Sequence, residues 1–168
     1  GADAVAAALT GHAELVRTGS RGLFWLEPMI EVETSAGRIA YGPVAAADVP
    51  GLLAAGLLTG GAHPLRLGPP QDIPFLARQT RLTFARCGVV DPLSVADYQA
   101  HGGLDGLRRA LEIGPVATVD TVLKSGLRGR GGAGFPTGIK WKTTAEAAGE
   151  QKYIVCNADE GDSGTYAD

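Results

Sequence analysis

The stretch from Gly126 to Lys140 reads Gly-Leu-Arg-Gly-Arg-Gly-Gly-Ala-Gly-Phe-Pro-Thr-Gly-Ile-Lys and concentrates the residue types that recognise phosphate. Glycines stand at 126, 129, 131, 132, 134 and 138, and Arg128, Arg130 and Lys140 surround them with positive charge. Glycine loses more chain entropy on folding than any other residue. Such a run therefore persists where backbone must approach a ligand or take positive φ. Free backbone N–H groups beside guanidinium and ammonium groups are the parts of an anion site. A flexible linker explains the stretch less well, because linkers are Ser- and Gly-rich and this one carries Phe135, Ile139 and Trp141.

A second polar cluster, Asn157-Ala-Asp-Glu-Gly-Asp162, follows the apolar run Tyr153-Ile-Val-Cys156. Lys152 to Cys156 is short and apolar enough to predict a buried parallel strand, and ligands in open α/β sheets gather at the carboxyl ends of strands. Phosphate suits the cationic loop, while the Asn and the carboxylates suit ribityl or ribose hydroxyls and ring N–H groups. Phe135, between Gly134 and Pro136, offers a flat face to a purine or a nicotinamide. The combination implies a flavin or a nicotinamide nucleotide, or both. No nucleophile–base pair or acid–base dyad stands out, so redox chemistry carried by a cofactor fits better than hydrolysis.

The elements that must position these groups can be read in turn. Residues 3–16 are Ala-rich and helical in pattern, with Gly11 breaking or loosening them. Met29–Thr34 alternates and Arg38–Tyr41 returns after Ser35-Ala36-Gly37, which predicts a hairpin. Asp48–Leu58 reads as a short helix closed by Gly60-Gly61. Four prolines between His63 and Arg78 limit regular structure to a helical turn after Pro74. Thr80–Arg86 alternates like a strand. Ser94 can cap a helix to Ala100 that Gly102-Gly103 stops, and Leu104–Leu111 is a further short helix.

Pro115 opens a segment whose apolar stripe, Val116, Val119, Val122 and Leu123, suits a helix stopped by Gly126, although its β-branched content leaves a strand open. The choice matters, because Gly129-x-Gly131-x-x-Gly134 fits the dinucleotide fingerprint only if a strand precedes it and a helix follows. A helix before it and Pro136 just after it argue against an ordinary Rossmann site. The absence of Gly-Lys-Ser/Thr argues against a P-loop. A polar stretch after Trp141 is predicted helical.

Bulk properties narrow the function classes. The 45% hydrophobic and 20% charged content supports a packed core rather than disorder. A net charge of −3 argues against a nucleic-acid partner. No apolar run approaches the ~20 residues of a membrane span. Cys87 and Cys156 stand alone and His12, His63 and His101 are scattered, so no metal site can be assembled. Two isolated thiols fit the cytoplasm. Gly1 is not an initiator Met, and the acidic, Gly-containing end has no closing element, so both ends read as cut from a longer chain.

Ser125–Trp141 and Tyr153-Ile-Val-Cys-Asn-Ala-Asp-Glu-Gly161 together closely resemble the family of FMN-binding NADH dehydrogenase flavoprotein subunits. That family includes the flavoprotein subunit of NADH:quinone oxidoreductase, the diaphorase subunit of NAD-reducing hydrogenase and the beta subunit of soluble NAD-dependent formate dehydrogenase. Residues 159–166 and the front of the chain look most like the last. In that front, Pro28, Tyr41-Gly-Pro-Val44 and Asp48-Val49 follow the order of a thioredoxin-like ferredoxin domain holding a two-iron cluster. The cluster cysteines would fall at Ser20 and Phe24, neither of which can supply a thiolate.

The resemblance implies an α/β chain: a degenerate thioredoxin-like module without cluster cysteines (residues 1–62), a linker and helical connection (63–112), and the start of a Rossmann-like FMN/NADH-binding domain (113–168). It implies FMN and NAD(H) as cofactors. Gly129, Arg130, Gly131 and Gly132 would lie at the FMN phosphate and ribityl region, with Lys140 adding charge. Asn157, Asp159 and Glu160 would bind the ribityl chain and ring, and Phe135 would stack on the dinucleotide. Asp162 stands where respiratory members carry Glu near NADH. A 4Fe-4S cluster is expected only in the full-length protein. The implied partners are an iron–sulfur gamma-type subunit and a molybdenum catalytic alpha-type subunit.

Overall fold

The computed structural model describes residues 1–155. It combines helices with one small antiparallel sheet, and the chain divides into two compact units, Gly1–Val95 and Ala96–Asp168.

The first unit is built on the hairpin that the alternation predicts. Strand β1 (Ile30–Thr34) pairs antiparallel with β2 (Gly37–Tyr41), and a short β3 (Arg66–Gly68) adds to the far side of β2. Ile39 and Tyr41 of β2 face a core completed by Val5 and Leu9 of α1 (Ala2–Leu9), by Val49 and Leu52 of α2 (Val49–Ala54), and by Val44 and Leu57. Tyr41 is fully buried, and its hydroxyl donates to the Gly61 carbonyl at 2.7 Å, so the ring can be interred without an orphan polar atom. The Tyr41-Gly-Pro-Val44 motif is thereby explained. Gly42 N donates to Leu65 O at 3.0 Å and Val44 N to Pro28 O at 2.8 Å, while a Cβ on Gly42 would meet Leu26 O. A smaller core gathers Leu23, Ile73 and Leu76 beside α3 (Pro74–Ala77), the helical turn expected after Pro74.

Charge reinforces the outer side of the hairpin. Arg21 grips Glu31 through two bonds, Nε–Oε1 at 2.5 Å and Nη2–Oε2 at 2.8 Å, and both side chains are largely buried. Arg38 also reaches Glu31, pairs with Glu33, and donates to the Gly88 and Val89 carbonyls.

Three expectations are corrected here. The first helix ends at Leu9 rather than near residue 16, where a turn through Thr10 and Gly11 takes over. Residues 80–86 form turns, with Ala85 N bonded to Leu82 O and Cys87 N to Phe84 O, instead of a strand. Leu82 stays exposed, and no strand among the described residues pairs with that segment; alternation alone does not make a ladder. Residues 152–155 likewise carry no regular structure, and Tyr153, Ile154 and Val155 are exposed. A buried parallel strand needs neighbours on both edges, and among the described residues this segment has none. Cys156 lies outside the described residues.

The described part of the second unit is mainly helical. The short α4 (Val95–Ala100) comes at the junction of the two units, as Ser94 and Gly102-Gly103 predict. The long α5 (Asp105–Ser125) is two helices abutting at Gly114, whose φ of +78° and ψ of 171° interrupt the helical path. Pro115 opens the second half, so the segment before the glycine loop is helix, and the strand alternative falls. Gly126 ends it in the left-handed conformation (φ +70°), a position that glycine fills without steric cost. After the loop, α6 (Thr137–Glu146) packs against α5.

Candidate functional site

The glycine loop joins α5 to α6, and its neck is tied by main-chain bonds. Gly129 N donates to Phe135 O and Thr137 N to Leu127 O, both at 2.9 Å. Arg128 and Pro136 face one another as an isolated antiparallel bridge. The bonds of that bridge come from their neighbours, so the missing N–H of Pro136 costs nothing.

Within the loop the backbone is open. No backbone carbonyl of the described residues accepts from the amides of residues 130–134. Gly132 and Gly134 lie at positive φ, +96° and +60°, and a Cβ added at Gly131, Gly132 or Gly134 would meet nothing within 4 Å. A loop with unspent donors and open space above its glycines suits an oxyanion. Two cations stand with it. Arg130 makes one bond, Nη1 to the Arg128 carbonyl at 3.2 Å, leaving most of its fork available. Lys140, one turn into α6, places its Nζ 5.8 Å from the centre of the Phe135 ring.

Of the residues singled out from the sequence, Gly129, Arg130, Gly131, Gly132, Phe135 and Lys140 fall on this one loop and the first turn of α6. Phe135 is exposed, and the Lys140 ammonium lies over its ring. Asn157, Asp159, Glu160 and Asp162 lie outside the described residues. Two features went unread in the sequence. Arg128 donates through Nη1 to the Gly134 carbonyl at 2.8 Å, tying the loop across its mouth. Gly138 is buried where α6 crosses α5, and a Cβ there would strike the Leu123 backbone. The sequence marks the first only as a charge and the second only as one more glycine.

Among the described residues there is no group of three or more His, Cys, Asp or Glu that could hold a metal ion, and no helix long and apolar enough to cross a membrane.

A helix-flanked glycine loop with adjacent cations is an arrangement that suits an oxyanion. Residues 122–168 match the Nuo51 FMN-binding domain family. Over 85 residues the chain is 54% identical to the NADP-reducing hydrogenase subunit HndC of Solidesulfovibrio fructosivorans, a stretch covering 51% of this chain and 17% of that protein. Over 81 residues it is 53% identical to an NADH-quinone oxidoreductase subunit of Rhizobium meliloti, covering 48% of this chain and 19% of the relative. The alpha subunit of the NAD-reducing hydrogenase HoxS of Cupriavidus necator is 52% identical over 62 residues, 37% of this chain and 10% of that protein. The matched stretches thus span less than a fifth of these relatives. Residues 122–168 are thus similar to the FMN-binding domain of 51 kDa-type flavoprotein subunits, the resemblance that the two motifs carry. The expectation of FMN with NAD(H) agrees with the matched domain and with the NADH- and NAD-linked activities in the relatives' names.

Proposed function

We propose that the chain is part of the flavoprotein subunit of an NAD(H)-linked oxidoreductase complex, and that the Gly129–Gly134 loop receives the FMN phosphate. The observation that carries this reading is the run of amides at 130–134 with no partner among the described residues, flanked by Arg130 and Lys140, inside the segment that matches an FMN-binding family. Bound FMN would supply hydride exchange with NAD(H) and onward one-electron transfer to iron–sulfur centres.

The chain's own residues do the holding. Amides of the loop would donate to the phosphate oxygens, the Arg130 guanidinium would pair with them, and Lys140 would add charge. Asn157, Asp159 and Glu160 would hold the ribityl chain and ring, Asp162 would serve NAD(H), and the Phe135 ring would stack on the dinucleotide. Loss of charge in Lys140→Ala or Glu160→Ala of the full-length protein lowers flavin content and NADH-to-dye reduction together. Unchanged flavin content and rate in both variants would remove the site assignment.

The finer reading is the beta subunit of a cytoplasmic NAD-dependent formate dehydrogenase, partnered by gamma-type iron–sulfur and alpha-type molybdenum subunits. Its support is the residue 159–166 ending and the cysteine-free front, where Ser20 Oγ bonds Glu27 and Phe24 is exposed. The diaphorase subunit of a hydrogenase and the corresponding subunit of NADH:quinone oxidoreductase are the competing contexts. Formate-dependent NAD reduction by the purified complex selects among them, and hydrogen-dependent reduction in its place refutes the formate assignment.

A second reading concerns the front alone. The thioredoxin-like module, residues 1–62 followed by the 63–112 connection, serves as a docking platform for partner subunits. It keeps the hairpin and buried core while lacking thiolates at Ser20 and Phe24. The 113–168 part then carries the cofactor.

A further inference from the structure

We propose that Arg128 is the positioning residue of the glycine loop: its guanidinium clasps the mouth and fixes the turn whose amides receive the anion. The proposal rests on the reading of the loop as a phosphate cradle given above. Arg128 Nη1 donates to the Gly134 carbonyl at 2.8 Å, spanning six residues. Below this clasp, the Gly129–Phe135 and Thr137–Leu127 bonds close the neck. Between neck and clasp the segment is rich in glycine, with Gly131, Gly132 and Gly134, and its amides at 130–134 are bound by no backbone carbonyl among the described residues. Such a chain samples many conformations unless something outside its own backbone restrains it. The Arg128 fork is the side chain that does so, holding Gly134 from the opposite limb.

The two arginines therefore divide the work. Arg128 is turned across the loop and engaged with a carbonyl. Among the described residues Arg130 bonds only the Arg128 carbonyl, at 3.2 Å, and keeps donors for a ligand. The clasp is a hydrogen bond with a charged donor, so it contributes order to the empty loop before any phosphate arrives, which lowers the ordering cost of binding.

Amide hydrogen exchange on the full chain without cofactor tests the clasp directly. In Arg128→Ala the Gly129 and Thr137 amides exchange about fivefold faster, the scale of one partly exposed hydrogen bond, and in Arg130→Ala they do not change. A second arm measures FMN affinity of the full-length protein at low and high salt. Arg128→Ala weakens FMN binding but keeps the wild-type salt dependence, whereas Arg130→Ala flattens it, because only the latter removes a charge facing the phosphate. Unchanged exchange in Arg128→Ala overturns the proposal, as does a salt dependence flattened to the level of Arg130→Ala. Faster exchange in Arg128→Ala together with a wild-type protein that takes no FMN supports the clasp and overturns the phosphate reading instead.

Discussion

Replacing Gly138 with alanine puts a methyl group where two helices touch. A Cβ built there lies 2.5 Å from Leu123 N and 2.8 Å from Leu123 Cβ, whereas ordinary contact begins at 3.4 Å. The neighbour is helix backbone, which cannot swing aside as a side chain can, so α6 must retreat from α5 by roughly 1 Å, an overpacking that costs about 1–3 kcal/mol. Alanine's better helix propensity returns at most about 1 kcal/mol. The net expectation is a loss of about 1–2 kcal/mol in the second unit. Gly106→Ala is the matched control: it too lies in a first helical turn, but nothing approaches its Cβ within 4 Å, so it stabilises by up to about 1 kcal/mol. Urea unfolding followed by Trp141 fluorescence, in a Trp25→Phe background so that α6 alone reports, compares the two. Opposite signs are expected. If Gly138→Ala stabilises as Gly106→Ala does, the close α5–α6 crossing is wrong, and with it the fixed mounting of the Thr137 end of the loop.

Glu31→Gln removes the carboxylate shared by Arg21 and Arg38 and leaves two partly buried guanidinium groups short of a partner; a loss of about 2 kcal/mol in thermal or urea unfolding is expected. Glu33→Gln, whose carboxylate is mostly exposed, should cost less than about 0.5 kcal/mol, and equal losses would contradict the ranking. Deleting residues 1–95, the whole first unit so that β3 is not stranded without β2, should abolish pull-down of the partner iron–sulfur subunits; unchanged assembly would refute the docking reading.

Much of the local structure was legible because it rests on local chemistry. The hairpin followed from period-2 alternation around Ser35-Ala36-Gly37, and Pro115 and Gly126 marked the start and stop of the helix before the loop. The segments at 80–86 and 152–155 failed for one reason. Their apolar patterns fit a strand, but a strand exists only with an edge to pair with, and that is decided by the rest of the fold. Lys140 was legible as a charge but not as the cation over Phe135, since a ring and an ammonium five residues apart meet only once Pro136 and the first turn of α6 set their directions. The Arg128 clasp was hidden in the same way: its acceptor is a carbonyl, which sequence does not distinguish from any other.

Recognition by the loop of a phosphate carried by a flavin is the central claim. Titrating the full-length protein with FMN and with riboflavin, which differ only by that phosphate, measures it directly through flavin fluorescence. A cradle of charge-assisted bonds predicts at least about a hundredfold preference for FMN, shrinking in Arg130→Ala. Equal affinity for the two ligands would contradict it.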